Sequence, residues 1–148
     1  MKKPRYILFV IVLAQFCCTS LWFASNGVLN NLIESFDFAQ SALSHLTSAI
    51  QLGFILGSLC FAILTITDRI SPSKVFFTSA LLAGLFNYCI TLGEHTLGSL
   101  FLLRLMTGFF LAGIYPVGMK IAADYYEKGL GVSLGFLVGA LVVGTAFP

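Results

Sequence analysis

Charge is the scarcest property of this sequence. Of its 148 residues, 8 are Lys or Arg and 6 are Asp or Glu, 9% in all, where soluble domains carry roughly 25%. With 58% hydrophobic residues and a mean hydropathy of +0.97, the chain cannot clothe a water-soluble surface. That excludes a soluble enzyme and leaves an integral membrane protein whose length is filled by spans. No nucleic-acid partner is expected. Cysteine is also sparse. Cys17, Cys18, Cys60 and Cys89 lie inside apolar runs, with no CxxC pair and no His at ligand spacing. They read as small apolar fillers, so no metal site and no cofactor is expected. The apolar runs lack the alternation of strands, and a segment surrounded by lipid must satisfy its peptide groups internally, so the spans are helices.

The charges that are present fall into islands. Ala42 to Thr67 and Val75 to Gly93 contain no formally charged side chain, and each approaches the ~20 residues a helix needs to cross ~30 Å of hydrocarbon. Between them lies Thr67-Asp68-Arg69-Ile70-Ser71-Pro72-Ser73-Lys74. So short a polar connection makes the two helices antiparallel neighbours, with Asp68 ending one and Ser71 to Ser73 opening the next. Pro72 suits that opening, because proline in a first helical turn loses no hydrogen bond.

Five spans follow, at about residues 6–32, 42–67, 75–92, 97–119 and 130–147, with cytoplasmic loops at 68–74 and 120–129. Lys2, Lys3 and Arg5, then Arg69 and Lys74, then Lys120 and Lys128 mark one side. The connections near Glu34 to Ser41 and Gly93 to Thr96 have no Lys or Arg and mark the other. By the positive-inside rule the basic side, with the N-terminus, is cytoplasmic, and the chain reads as a multi-pass membrane protein. The charged start followed by Tyr6 to Ala14 also has the form of a secretory signal. A signal core runs roughly 7 to 15 residues, however, and here the apolar character continues to Leu32.

Several spans carry residues that a purely lipid-facing helix would not. Asn26 and its polar neighbours in the first span point to a face that looks into a cavity. Gly53 and Gly57 form a small-xxx-small pair suited to close helix approach. Arg104 lies about two turns inside the fourth span, where a charge costs at least ~2.5 to 3.5 kcal/mol. Gly108, Ala112 and Pro116 continue its stripe at spacings of four, so the arginine is expected to point inward. Gln51 and Tyr115 are further cavity candidates beside Arg104 and Asn26. The glycines of the fifth segment, Gly135 and Gly139 among them, lack the GxGxxG spacing of a nucleotide loop and read as a packing surface.

Together these features resemble the major facilitator superfamily. Its loop between spans two and three, usually G-x-x-x-D-R-x-G-R-[KR], is matched at Asp68 and Arg69, with Leu64 and Ser71 in place of its glycines and Lys74 alone for the basic pair. Arg104, Gly108 and Ala112 resemble the fourth-span pattern R-x-x-x-G-x-G-x-A, with Phe110 at the middle glycine. The stretch Phe109 to Tyr125 is similar to the bacterial nitrate, nitrite and cyanate porters, although the second-span arginine used by nitrate porters has no counterpart in Ala42 to Thr67. The resemblance implies twelve helices in two halves that rock about a central site. It implies an all-α membrane bundle, of which this chain would be the first five helices and the C-terminal half the missing partner. Asp68, Arg69 and Lys74 would form the gating loop, latching the cytoplasmic side against that other half. The function implied is secondary active transport of a small polar or anionic solute, with protons as the candidate coupling ion. Ending as the fifth span completes its crossing, the chain reads as a fragment of a longer product. The alternatives are a truncated, non-functional product, or a complete membrane-embedded enzyme or assembly subunit, which would have to draw on His45, Glu94, His95, Asp68 and Asp124.

Overall fold

The structure is a computed structural model and describes residues 9–18, 20–22, 41–125 and 130–145. Its described residues are all helical or in the turns between helices, as the unalternating apolar runs require. In chain order the helices are α1 (residues 9–18 and 20–22), α2 (Ser41–Ile63), α3 (Ile66–Arg69), α4 (Pro72–Cys89), α5 (Leu97–Leu111), α6 (Tyr115–Tyr125) and α7 (Leu130–Thr145). Two stretches are long and apolar enough to cross a bilayer. They are Ser44–Ile63, with mean hydropathy 1.9, and Leu97–Asp124, 28 residues with mean hydropathy 1.8.

Two expected boundaries shift most, while α4 runs three residues earlier at both ends than the expected 75–92. The second span stops at Ile63, where Leu64 and Thr65 turn and Thr65 adopts a left-handed backbone with φ 47°. Asp68 and Arg69 therefore sit on the short helix α3 rather than at the end of α2, and only Ile70 and Ser71 separate α3 from α4. Pro72 opens α4 as its first residue. The second shift is at residues 120–129, expected as a loop. Helix α6 continues through Lys120 and Asp124 to Tyr125: Pro116 falls in its first turn, where proline is tolerated, and Met119 to Tyr125 carry neither glycine nor proline. At the opposite end Gly93 turns the chain with φ 80°, a conformation that favours glycine, and Thr96 caps α5 by accepting from the Ser99 N–H at 3.2 Å. His95 adds a tie from this turn to α4, its Nε2 lying 3.1 Å from the Cys89 carbonyl.

Helix α5 is the centre of the packing. Its most extensive neighbour is α2, followed by α4. Along the α2–α5 seam the glycines set the separation: a Cβ on Gly53 would collide with the Leu105 carbonyl, one on Gly57 with the Phe109 carbonyl, and one on Gly108 with the Ile50 carbonyl. Backbones touch there, which is how helices gain van der Waals contact in lipid, where burial from water supplies no drive. Ala112, 2% exposed, closes the same seam beside Gly57. Ile50, Ala83, Leu111 and Ile114 then form a buried cluster joining α2, α4 and α5, with Trp22 of α1 packed against it and edge-on to Phe54 at 5.2 Å.

The glycines of α7 behave differently. Gly135 and Gly139 have open space where a Cβ would stand, so the tight packing expected of them is absent among the described residues. The physical reason is rotational: α7 turns the opposite face, carrying fully buried Leu137, toward its neighbours. Gly135 and Gly139 instead line an open apolar groove of about 640 Å³ with Phe9, Val12 and Phe16 of α1.

Candidate functional site

The fourth span carries the polar chemistry of the bundle, and its sequence explains why it is not one straight helix. Pro116 has no N–H to offer the Ala112 carbonyl, and its ring crowds that carbonyl. The chain responds with a tightened turn: Gly113 N–H bonds Phe110 O at 2.9 Å and Ile114 N–H bonds Leu111 O at 3.0 Å. The α pattern resumes when Gly118 N–H reaches Ile114 O at 2.8 Å. Helices α5 and α6 are thus two limbs of one span, broken at residues 112–114. The break ends the stripe of spacing four. Arg104, Gly108 and Ala112 are buried, whereas Pro116 is exposed.

Arg104 sits on the longer limb and is 1% exposed, with Thr107 and Gly108 buried beside it on the same helix. A guanidinium that deep in an apolar span faces protein rather than lipid, since a lipid-facing one would extend toward the head groups. Of the other expected cavity residues, Tyr115 opens α6 immediately after the break, and Gln51 is exposed on α2. Asn26 lies outside the described residues.

Two further buried polar groups flank the break. Gln15 of α1 is 0% exposed, and its Oε1 occupies the space where Gly118 lacks a Cβ. Ser79 of α4, 3% exposed, places its Oγ in the same relation to Gly113. Beyond the break α6 diverges from α2 and leaves a crevice of about 290 Å³, lined by Ser58, Phe61, Ala62, Pro116 and Val117. Lys120 closes the end of this crevice. Its Nζ donates to the Thr67 carbonyl at 3.2 Å and pairs with the Asp68 carboxylate. Lys120 is 35% and Asp68 64% exposed, so the pair contributes at most about 1 kcal/mol to stability and acts chiefly to fix geometry. Arg69 and Lys74 are exposed alongside.

Asp68 was expected to latch against another half; within this chain its partner is Lys120. Sequence reasoning placed Lys120 in a connecting loop and did not pair it. The available signal was faint: Lys120 is one of few cations, and it falls on the same side of the membrane as Asp68. Gln15 and Ser79 gave no signal beyond being polar in an apolar run.

Residues 11–147 match the Major Facilitator Superfamily. The chain belongs to that superfamily. It is therefore a multi-pass membrane protein of a transporter family, with an all-α fold. Its relatives include Efflux pump FUB11 of Gibberella moniliformis (strain M3125 / FGSC 7600) and Efflux pump FUBT of Fusarium oxysporum. Each is 28% identical over 97% of this chain and 24% of its own length. The chain thus spans about a quarter of the length of these curated relatives. No solved structure matches it.

Proposed function

We propose that this chain is part of a secondary transporter that moves a small polar or anionic solute by alternating access, with Arg104 holding negative charge on the solute or in the cavity that admits it. The observation that carries the reading is a fully buried guanidinium in an apolar span of a transporter-family chain. Relatives described as efflux pumps support export as the direction. The other half of the bundle would be supplied by further sequence of the same product, and protons are the coupling ion to test first. The basic Asp68 end would face the cytoplasm, in a bacterial-type inner membrane. Kinship with the nitrate, nitrite and cyanate porters rests on the motif at Phe109 to Tyr125 alone, and the fungal relatives give it no added weight. The reading as a complete membrane enzyme or assembly subunit gains nothing from the fold, which holds His45, Glu94 and His95 at one end of the helices and Asp68 and Asp124 at the other.

The test is solute flux in proteoliposomes containing the whole product of the reading frame, under an imposed pH gradient, across a panel of small anions, carboxylates and sugars. For any transported anion, Arg104→Ala is expected to raise KM at least tenfold, which corresponds to losing one hydrogen bond to a charged group, about 1.5–3 kcal/mol. Arg104→Lys should recover only part, because a lysine cannot reproduce the planar fork. Unchanged transport in Arg104→Ala would remove the role assigned to this residue.

A further inference from the structure

The broken fourth span raises a problem of its own. A helix interrupted within hydrocarbon frees backbone carbonyls and amides, and each one left unsatisfied there costs several kcal/mol. Two glycines of the same span mark the break at residues 112–114, Gly113 within it and Gly118 just beyond it. At both, the space a Cβ would fill is taken by a buried polar group from another helix, Ser79 Oγ from α4 and Gln15 Oε1 from α1. Both groups are polar and buried, and each lies where a side chain on the broken span would otherwise stand.

The two supports differ in what they grip. Ser79 meets the turn itself at Gly113, while Gln15 meets the first turn and a half of α6, beyond the bend. The limb that Gln15 holds is the one that diverges from α2 to open the crevice and carries Lys120 across to Thr67 and Asp68. Gly118 is buried and a side chain there would displace the carboxamide. We propose that Gln15 is a positioning residue for the bend of the fourth span: its carboxamide against Gly118 sets the angle of α6 to α5, and with it the width of the α2–α6 crevice. The inference goes beyond the assignment of a solute and holds for whatever the protein carries.

Two pairs of spin labels test it in the full chain in lipid nanodiscs, with Cys17, Cys18, Cys60 and Cys89 each replaced by Ala. One pair, Ile63→Cys with Ala123→Cys, reads the separation of α2 from α6. The other, Ser44→Cys with Leu102→Cys, reads α2 against α5 on the far side of the break. Gln15→Met keeps the side-chain length and removes both polar atoms. It is expected to shift the first distance by about 2 Å or more, the scale of helix displacements at bistable contacts, and to leave the second unchanged. Gly118→Ala should shift the first distance in the same manner. The double variant should shift it no further than the larger single change, because both substitutions break one contact. An unchanged first distance in folded Gln15→Met, a parallel change in both pairs, or additive shifts would each overturn the proposal. Should Gln15→Met fail to fold, Gly118→Ala decides alone: a first distance unchanged in that folded variant overturns the proposal.

Discussion

At the scale of single residues, the largest consequences attach to the smallest side chains. Gly53, Gly57 and Gly108 let α2 and α5 meet backbone to backbone, and a methyl group at any of them would strike a main-chain carbonyl that has no rotamer to escape through. Gly108→Ala is accordingly expected to destabilise the bundle by about 1–3 kcal/mol, the range for overpacking. Gly135→Ala offers the contrast within one experiment. Its Cβ would enter open space, so the helix should gain up to about 1 kcal/mol from the better propensity of alanine. Reversible unfolding in mixed detergent micelles would check both signs. Four glycines with the same sequence motif spacing were equally legible as packing residues. Gly135 and Gly139 went the other way because spacing fixes which residues share a helix face but not which direction that face points.

At the scale of elements, the fourth span is the instructive case. Its apolar length and its buried arginine can be read from composition, and Pro116 announces some irregularity. What the proline does depends on its neighbours: three residues tighten into a turn, Ser79 and Gln15 enter beside it, and α6 leaves α2. Replacing Pro116 with Ala restores an N–H for the Ala112 carbonyl. In that variant amide exchange at Gly113 to Tyr115 should slow by about tenfold or more, as one helical hydrogen bond of about 1.4 kcal/mol is regained. Unaltered exchange would mean that tertiary packing, rather than the proline, imposes the break. The second span teaches the same lesson from the other side. No glycine or proline stands near Thr65, yet the helix ends there in a left-handed turn and Asp68 passes to a short helix of its own.

At the scale of the whole molecule, the basic residues and the helix directions define two ends. Arg69, Lys74 and Lys120 gather at one, Glu94 and the His95 turn at the other. Single cysteines in the Cys-free chain would test the orientation in cells: Arg69→Cys should react with a membrane-impermeant maleimide only after permeabilisation, and Glu94→Cys before it. The reverse pattern would invert the topology argued from the positive charges. The ion pair at the Asp68 end belongs to this scale too. It joins residues 52 apart in sequence and ties the α3 turn to α6. A contact of this kind has no sequence signature, because nothing local distinguishes a lysine that pairs from one that is solvated.

The sequence by itself determined the class of molecule. Scarce charge and long unalternating apolar runs leave no solution but membrane helices, since hydrocarbon forbids an unsatisfied backbone. It also determined the family, through motifs at Asp68, Arg69, Arg104, Gly108 and Ala112 whose spacing survives even where individual letters change. Only the tertiary structure decided which small residues touch, where the fourth span bends, that Asp68 meets Lys120, and that Gln15 lies against Gly118. Those outcomes depend on the rotation and tilt of each helix about its own axis. Rotation and tilt are set jointly by all the faces in contact, and no single segment carries that information.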